Sequence, residues 1–150
     1  MTDNSQSHVE GIDHIQLAMP PGQEDTARTF YSGLLNIPEV PKPPELAKRG
    51  GVWFENGFVK VHLGIDSDFH PARRAHPGLL VRNLRTLVRK LRESGVNVSE
   101  GEVLPGYDHV YTADPFGNRL ELMERIRNRN PTSRVTDGFH RIDGNPGPGR

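Results

Sequence analysis

Four side chains in the sequence are of types that bind metal ions, and each lies in a different strand-like segment. They are His14, His62, His76 and Glu121. Successive side chains of a strand point to opposite faces of its sheet. The alternate positions of the same segments hold apolar residues, among them Ile15, Leu17, Val61, Leu63, Leu79, Leu120 and Leu122. Strand parity therefore predicts that the four residues share the concave, polar face of a curved sheet.

The chemistry of this set is that of a nitrogen- and oxygen-bound divalent ion. Three imidazoles and one carboxylate suit Zn²⁺, Ni²⁺, Fe²⁺, Co²⁺ or Mn²⁺, and two His with one Glu form the facial set of non-haem iron. The sequence has no Cys, which excludes a thiolate zinc site, a disulfide and a Cys nucleophile. Four protein ligands would fill a tetrahedral zinc ion and leave no position for a substrate. We therefore expect either a metal that accepts more ligands or His62 acting as a base.

Two cations and two aromatic residues accompany the metal candidates. Lys60 and Arg119 have the same strand parity, which predicts binding of an anionic substrate group, unless they pair with carboxylates at the rim. Trp53 and Tyr111 occupy comparable positions in the two halves and are predicted to wall the cavity, with core packing as the alternative. His109 is a further candidate acid or base.

The elements that must position these residues follow the same order in both halves. In the first half, the pattern predicts a strand at residues 11–19 and a helix at 24–35. An irregular loop with four Pro follows at 37–51, and then two strands at 52–54 and 58–65. In the second half, the pattern predicts a strand at residues 78–81 and a helix at 84–91. Three strands follow, at 96–98, 109–113 and 119–123. We therefore expect an α+β fold in which two βαβββ modules form a curved, half-open mixed sheet around a metal or ligand cavity.

An internal repeat supports this order. The segment that starts at His14 aligns with the segment that starts at His76, an offset of 62, and the segment at Gly57 aligns with that at Gly117, an offset of 60. Two copies of one supersecondary unit imply a pseudo-twofold axis.

Length and charge predict one domain with a different C-terminal segment. The 150 residues carry 19 Lys and Arg against 19 Asp and Glu, so no global field favours nucleic acid or a membrane surface. Residues 127–150 contain five Arg against two Asp, a surplus of +3, which leaves −3 on the rest. We expect a flexible N-terminus at 1–8, one domain at 9–126 with modules at about 9–66 and 75–126, and a flexible basic tail at 127–150.

Four segments resemble the vicinal oxygen chelate superfamily, which includes glyoxalase I, bleomycin resistance proteins, extradiol dioxygenases, methylmalonyl-CoA epimerase and fosfomycin resistance proteins. They are residues 13–17, the Val-Lys-Val-His-Leu segment ending at Leu63, His76 before the fifth strand, and residues 114–122. The resemblance covers about residues 9–126. It implies a divalent metal at the four strand positions that chelates two neighbouring oxygens of a substrate. Glyoxalase I has Glu, and the epimerase Gln, where this chain has His62.

The resemblance implies a metal-dependent lyase, isomerase or dioxygenase acting on a small oxygenated metabolite, with His62 and Glu121 as catalytic residues. The alternative is a metal-free binding protein of the bleomycin resistance type. We expect a cytoplasmic homodimer whose site lies within one chain or across two, with a small-molecule ligand and without nucleic acid or membrane as partner.

Overall fold

The computed structural model of the chain describes residues 8–126, which form two four-stranded sheets with short helices beside them. The first module contains β1 Ile15–Met19, α1 Glu24–Arg28, a π-helical turn Thr29–Leu34, β2 Glu39–Val40, α2 Pro44–Ala47, β3 Val52–Asn56 and β4 Val59–Ile65. The second contains β5 Gly78–Leu80, α3 Leu84–Glu93, β6 Val98–Glu100, β7 Tyr107–Ala113 and β8 Arg119–Arg125. The predicted N-terminal segment and basic tail lie outside these residues, apart from His8.

The two sheets have the same topology. Their strand orders are β1-β4-β3-β2 and β5-β8-β7-β6. The first and last strands of each module run parallel and the other pairs antiparallel. The predicted α+β fold with two βαβββ modules is therefore confirmed, and the two sheets are open rather than closed into a barrel.

The apolar faces of both sheets contribute to one core. Val61, Leu63, Leu120 and Leu122 are at most 1% exposed, and they belong to the same cluster as buried residues of α3 and the π-helical turn. A sheet that buries one face here must turn its other face away from this core. The polar faces that carry the candidate metal residues therefore point away from the shared core.

The first predicted helix is not a single α-helix. After Arg28 the backbone changes to a π-helical turn, where Leu35 donates its N–H to the carbonyl of Phe30. Lys90 of α3 donates to the carbonyls of Gly33 and Leu34 at 2.8 and 2.9 Å. The end of this turn is thus bound to the second module.

The proline-rich segment at 37–51 is not irregular throughout, so this part of the prediction is wrong. Val40 of β2 pairs with Trp53 of β3, and Pro44 begins the single turn of α2. Pro fits the first helical position because its missing N–H has no helical acceptor there. Two residues of strand leave no periodicity in the sequence from which β2 could be predicted.

A buried polar cluster at the turn before β8 also joins the modules. Tyr31 donates its hydroxyl to Oδ2 of Asp114 at 2.7 Å, and Asn118 donates Nδ2 to the carbonyl of Ala18 at 2.8 Å. Asp114 also accepts the backbone N–H groups of Phe116 and Asn118.

Within residues 8–126, no helix is long and apolar enough to span a bilayer.

Candidate functional site

Three rings are stacked on the polar face of the first sheet. The register of β3 and β4 places Trp53 directly opposite His62, and their parallel rings have centroids 3.9 Å apart. The ring of His14 lies on the other side, with its centroid 4.6 Å from that of His62. The structure therefore brings His14 and His62 together, and Trp53 lies beside them.

Glu55 holds His62, and the sequence analysis did not identify this carboxylate. Nε2 of His62 lies 2.9 Å from Oε1 of Glu55. Since a carboxylate accepts, Nε2 carries a proton and donates it. The signal available in the sequence was parity, because Glu55 stands two residues beyond Trp53 and therefore on the same face.

Asp13 holds His14 and is in turn held by Lys60. Nδ1 of His14 lies 2.9 Å from one carboxylate oxygen, and Lys60 donates to the other at 3.1 Å. The hydrogen bonds from His14 and then Lys60 lower the pKa of Asp13, and the bond to Asp13 raises the pKa of Lys60. The ammonium group of Lys60 is therefore paired with a carboxylate, which is the alternative to direct substrate binding.

Glu121 lies between two His residues on the polar face of the second sheet. Nδ1 of His109 approaches Oε1 of Glu121 at 2.6 Å, and Nε2 of His76 approaches Oε2 at 3.3 Å. The structure thus brings His76 and Glu121 together. It adds His109, which sequence analysis identified only as a further acid or base.

Both ring nitrogens of His109 face acceptors. Its Nε2 lies 2.6 Å from the carbonyl oxygen of Glu102, and its Nδ1 faces the Glu121 carboxylate. A ring that donates at both nitrogens carries two protons. The hydrogen bond to the Glu102 carbonyl, and then that to Glu121, raise the pKa of His109, although burial opposes this.

His76 is oriented by the backbone before it. Its Nδ1 donates to the carbonyl of Arg74 at 2.6 Å, which fixes the direction of the ring. Nε2 of His76 and Oε2 of Glu121 face each other at 3.3 Å. Such a pair attracts a cation or a proton.

Arg119 and Tyr111 complete the polar face of the second sheet. The guanidinium carbon of Arg119 lies 4.2 Å from the centroid of the Tyr111 ring. Tyr111 also meets the rings of His76 and His109 edge-on, each at 5.5 Å. Unlike Lys60, Arg119 has no carboxylate partner among residues 8–126.

The hydrogen-bond partners separate the four metal candidates into three and one. In His14, His76 and Glu121 a neighbour holds one polar atom of the side chain. The other polar atoms are Nε2 of His14, and Nε2 of His76 with Oε2 of Glu121, which contact each other at 3.3 Å. Metal-bound His residues commonly donate their other ring nitrogen in this way. His62 instead uses its Nε2 for Glu55 and is stacked on both ring faces.

The candidate residues do not converge within the described part of one chain. Residues 8–126 contain no group of three or more His, Asp or Glu arranged to hold a metal ion. His14 and His62 belong to one sheet, and His76 and Glu121 to the other. The structure therefore contains two half-sites, which we call the His14 half-site (His14 and His62) and the Glu121 half-site (His76 and Glu121).

Among the cavities lined by residues 8–126, two lie away from the four candidates. A cavity of about 520 Å³ lies between α3 and the segment after β6, with Val88, Leu104 and His109 among its lining residues. A second, of about 350 Å³, lies between the π-helical turn and β5. Only the first reaches the neighbourhood of a half-site, through His109.

Comparisons with known proteins identify the relatives of this fold. The sequence profile of the Glyoxalase/Bleomycin resistance protein/Dioxygenase superfamily matches residues 11–122. A glyoxalase family protein from Bacillus anthracis is 41% identical, with a TM-score of 0.76 over 81% of this chain and 99% of that one. No curated protein matches the chain.

Two more distant structures share the fold alone. A glyoxalase/dioxygenase from Nostoc punctiforme is 19% identical, with a TM-score of 0.66 over 80% of this chain and 94% of that one. The fosfomycin resistance protein FosX from Listeria monocytogenes is 15% identical, with a TM-score of 0.62 over 79% and 95% of the two chains.

Proposed function

The chain belongs to the Glyoxalase/Bleomycin resistance protein/Dioxygenase superfamily, and on this basis we propose that it is a metal-dependent lyase, isomerase or dioxygenase. Its substrate is a small oxygenated metabolite with an anionic group. The observation that carries the proposal is a set of three atoms able to bind a metal. They are Nε2 of His14, and Nε2 of His76 with Oε2 of Glu121, which contact each other at 3.3 Å.

This donor set fits a divalent ion of the Zn²⁺, Ni²⁺, Fe²⁺, Co²⁺ or Mn²⁺ group. Two imidazoles and one carboxylate bind such ions and leave open positions for a substrate. The bound ion would act as a Lewis acid that stabilises negative charge on substrate oxygens. His14, His76 and Glu121 would hold it.

The remaining polar side chains have separate roles in the proposal. The Glu55–His62 pair is assigned to proton transfer. The carboxylate of Glu55 holds the proton on Nε2, so the tautomer of His62 is fixed and Nδ1 is the ring nitrogen that accepts a proton. His62 also orients His14 by ring stacking. Arg119, which lacks a carboxylate partner among residues 8–126, binds the anionic group of the substrate.

A second copy of the chain completes the site. The two half-sites belong to separate sheets, whose polar faces point away from one core, so His14 of one chain would meet the Glu121 half-site of its partner. We therefore propose a homodimer with two shared sites.

Metal content tests the function directly. Protein purified without a chelator or a His-tag should contain a transition metal in near-stoichiometric amount or take it up on reconstitution. His14→Ala, His76→Ala and Glu121→Gln should lose it, whereas the exposed control His70→Ala should retain it. Wild-type protein that neither contains nor takes up metal would contradict the enzyme and favour the metal-free binding protein.

Mixing subunits tests the shared site. His14→Ala and Glu121→Ala chains should be unfolded together and refolded at equal amounts. About a quarter of the sites should then regain metal, because half of the randomly formed dimers are mixed and one of the two sites in a mixed dimer has both half-sites intact. Each variant alone should regain none. Absence of rescue in a mixture that does form mixed dimers would show that the site lies within one chain.

A further inference from the structure

We propose that His109 is a positioning residue that fixes the Glu121 carboxylate so that only Oε2 can bind the metal. The inference rests on the proposed function, because it assigns a role to a neighbour of a proposed ligand. It concerns a residue that touches neither the metal nor the substrate in that proposal.

The geometry of Glu121 carries the first step. Nδ1 of His109 holds Oε1 at 2.6 Å, whereas Oε2 has only the longer contact of 3.3 Å with His76. The side chain of Glu121 is 14% exposed and that of His109 is 7% exposed, so water does not readily replace this contact. A carboxylate with one oxygen bound in this way presents the other oxygen in a fixed direction.

The anchoring of His109 carries the second step. Its ring is held at Nε2 by the carbonyl of Glu102, at 2.6 Å. Gly101 lies against the ring so closely that a Cβ at this position would collide with three of the ring atoms. The His109 ring is therefore fixed from both ends, and Gly101 provides the space for it.

The two steps connect Glu121 to the segment between β6 and β7. Residues 101–104 of this segment line one side of the 520 Å³ cavity, and Glu102 supplies the carbonyl that anchors His109. A shift of this segment would reach Glu121 through a single side chain. The direction of Oε2 thus depends on a segment that carries no metal ligand.

Cobalt(II) affinity of the intact protein is the test. His109→Leu removes the donor to Glu121 and should weaken Co²⁺ binding by about 10- to 100-fold, the usual effect of losing a residue that orients a metal ligand. His109→Asn keeps an N–H near the position of Nδ1 and should retain most of the affinity. Thermal unfolding of each variant checks that the fold is intact.

Gly101→Ala perturbs the ring without removing it. The added methyl group must displace the His109 ring, so Co²⁺ binding should weaken although both nitrogens remain. Gly33→Ala is the matched control, since a Cβ at Gly33 meets only one atom, at 3.9 Å. It should bind Co²⁺ as the wild type does.

A measurement without metal separates positioning from general stabilisation. In chelator-treated protein with ¹⁵N-labelled His, ring N–H signals of His109 should be visible, and Glu121→Gln should move the Nδ1–H signal while leaving the Nε2–H signal near its place. Unchanged signals would overturn the inference.

The failures of the two proposals differ. If wild-type protein binds Co²⁺ and His109→Leu binds it equally well, the positioning role is wrong and the function stands. If His109→Asn is as weak as His109→Leu, the role of the donated hydrogen bond is wrong. If the wild type binds no Co²⁺, the proposed function fails and this inference fails with it.

Discussion

The indole ring of Trp53 lies parallel to the imidazole ring of His62, with an angle of 5° between the two planes. Both residues stand at paired positions of an antiparallel ladder, which fixes the contact through the backbone register. The stack joins a wall residue of the predicted cavity to a residue predicted for chemistry. Trp53 is the only tryptophan of the chain, so its fluorescence reports on this half-site alone.

Removing His62 should destabilise the protein and expose Trp53. For His62→Ala we expect a loss of roughly 0.5–1.5 kcal/mol from aromatic stacking, in addition to the buried area that is lost. The emission of Trp53 should shift to longer wavelength because water reaches one face of the indole. Urea unfolding followed by fluorescence measures both effects. His70→Ala, at an exposed His, should change neither, and an unshifted His62→Ala spectrum would contradict the stack.

Tyr31→Phe tests the buried link between the modules. Tyr31 donates its hydroxyl to the buried carboxylate of Asp114. Burial of the phenol raises its pKa most, and the negative charge of Asp114 raises it further. A hydrogen bond to a charged group contributes about 1.5–3 kcal/mol, and we expect the free energy of unfolding to fall by this amount. Tyr107→Phe is the control, because no hydrogen bond of its hydroxyl is seen within residues 8–126. Equal stability of the two variants would contradict the role of the link.

Glu124 is predicted to act as the N-terminal cap of α3. Its carboxylate accepts the backbone N–H groups of Asn83 and Leu84, at 2.7 and 3.1 Å, and no capping side chain lies within the helix start itself. Glu124→Ala should lower the free energy of unfolding by about 1 kcal/mol. Urea denaturation measures the loss, and Glu93→Ala, at the opposite end of α3, serves as control. A smaller loss for Glu124→Ala than for the control would refute the cap.

The stabilising effect of His109 should depend on pH. Its pKa is raised above the ordinary 6.5, mainly by the hydrogen bond to the Glu102 carbonyl. The charged ring therefore stabilises the fold fully below pH 6.5, and this contribution is lost as the pH rises through the raised value. In chelator, the difference in free energy of unfolding between wild type and His109→Asn should shrink from pH 6 upwards. A difference that grows with pH would have the wrong sign.

Strand parity and the repeat were sufficient to predict much of the architecture. The register bears out the equivalence of Trp53 and Tyr111, since Trp53 pairs with His62 and Tyr111 with Glu121. Parity succeeds here because a strand has a fixed period and one buried face. The π-helical turn was missed, because one widened turn hardly alters the spacing of apolar residues.

The partners of the candidate residues were harder to predict. Glu55 and Asp13 are separated from their His partners by different sequence distances, and side-chain rotamers decide which carboxylate reaches which ring. The relation between the two half-sites depends on how the modules pack, and no local pattern in the sequence encodes that packing. Parity could therefore assign residues to faces but could not bring the faces together.

The hydrogen bond from Asn118 to the carbonyl of Ala18 also limits how β1 can recruit another strand. The carbonyl of Met19 accepts the N–H of Asp66 and therefore points toward β4. Because successive carbonyls of a strand point in opposite directions, the carbonyl of Ala18 points to the open edge of the sheet. An incoming strand would find this acceptor already taken. Replacing Asn118 with Leu should free it and increase light scattering of concentrated protein; unchanged scattering would argue against this role. Asn118 thus blocks one end of an exposed edge against aggregation.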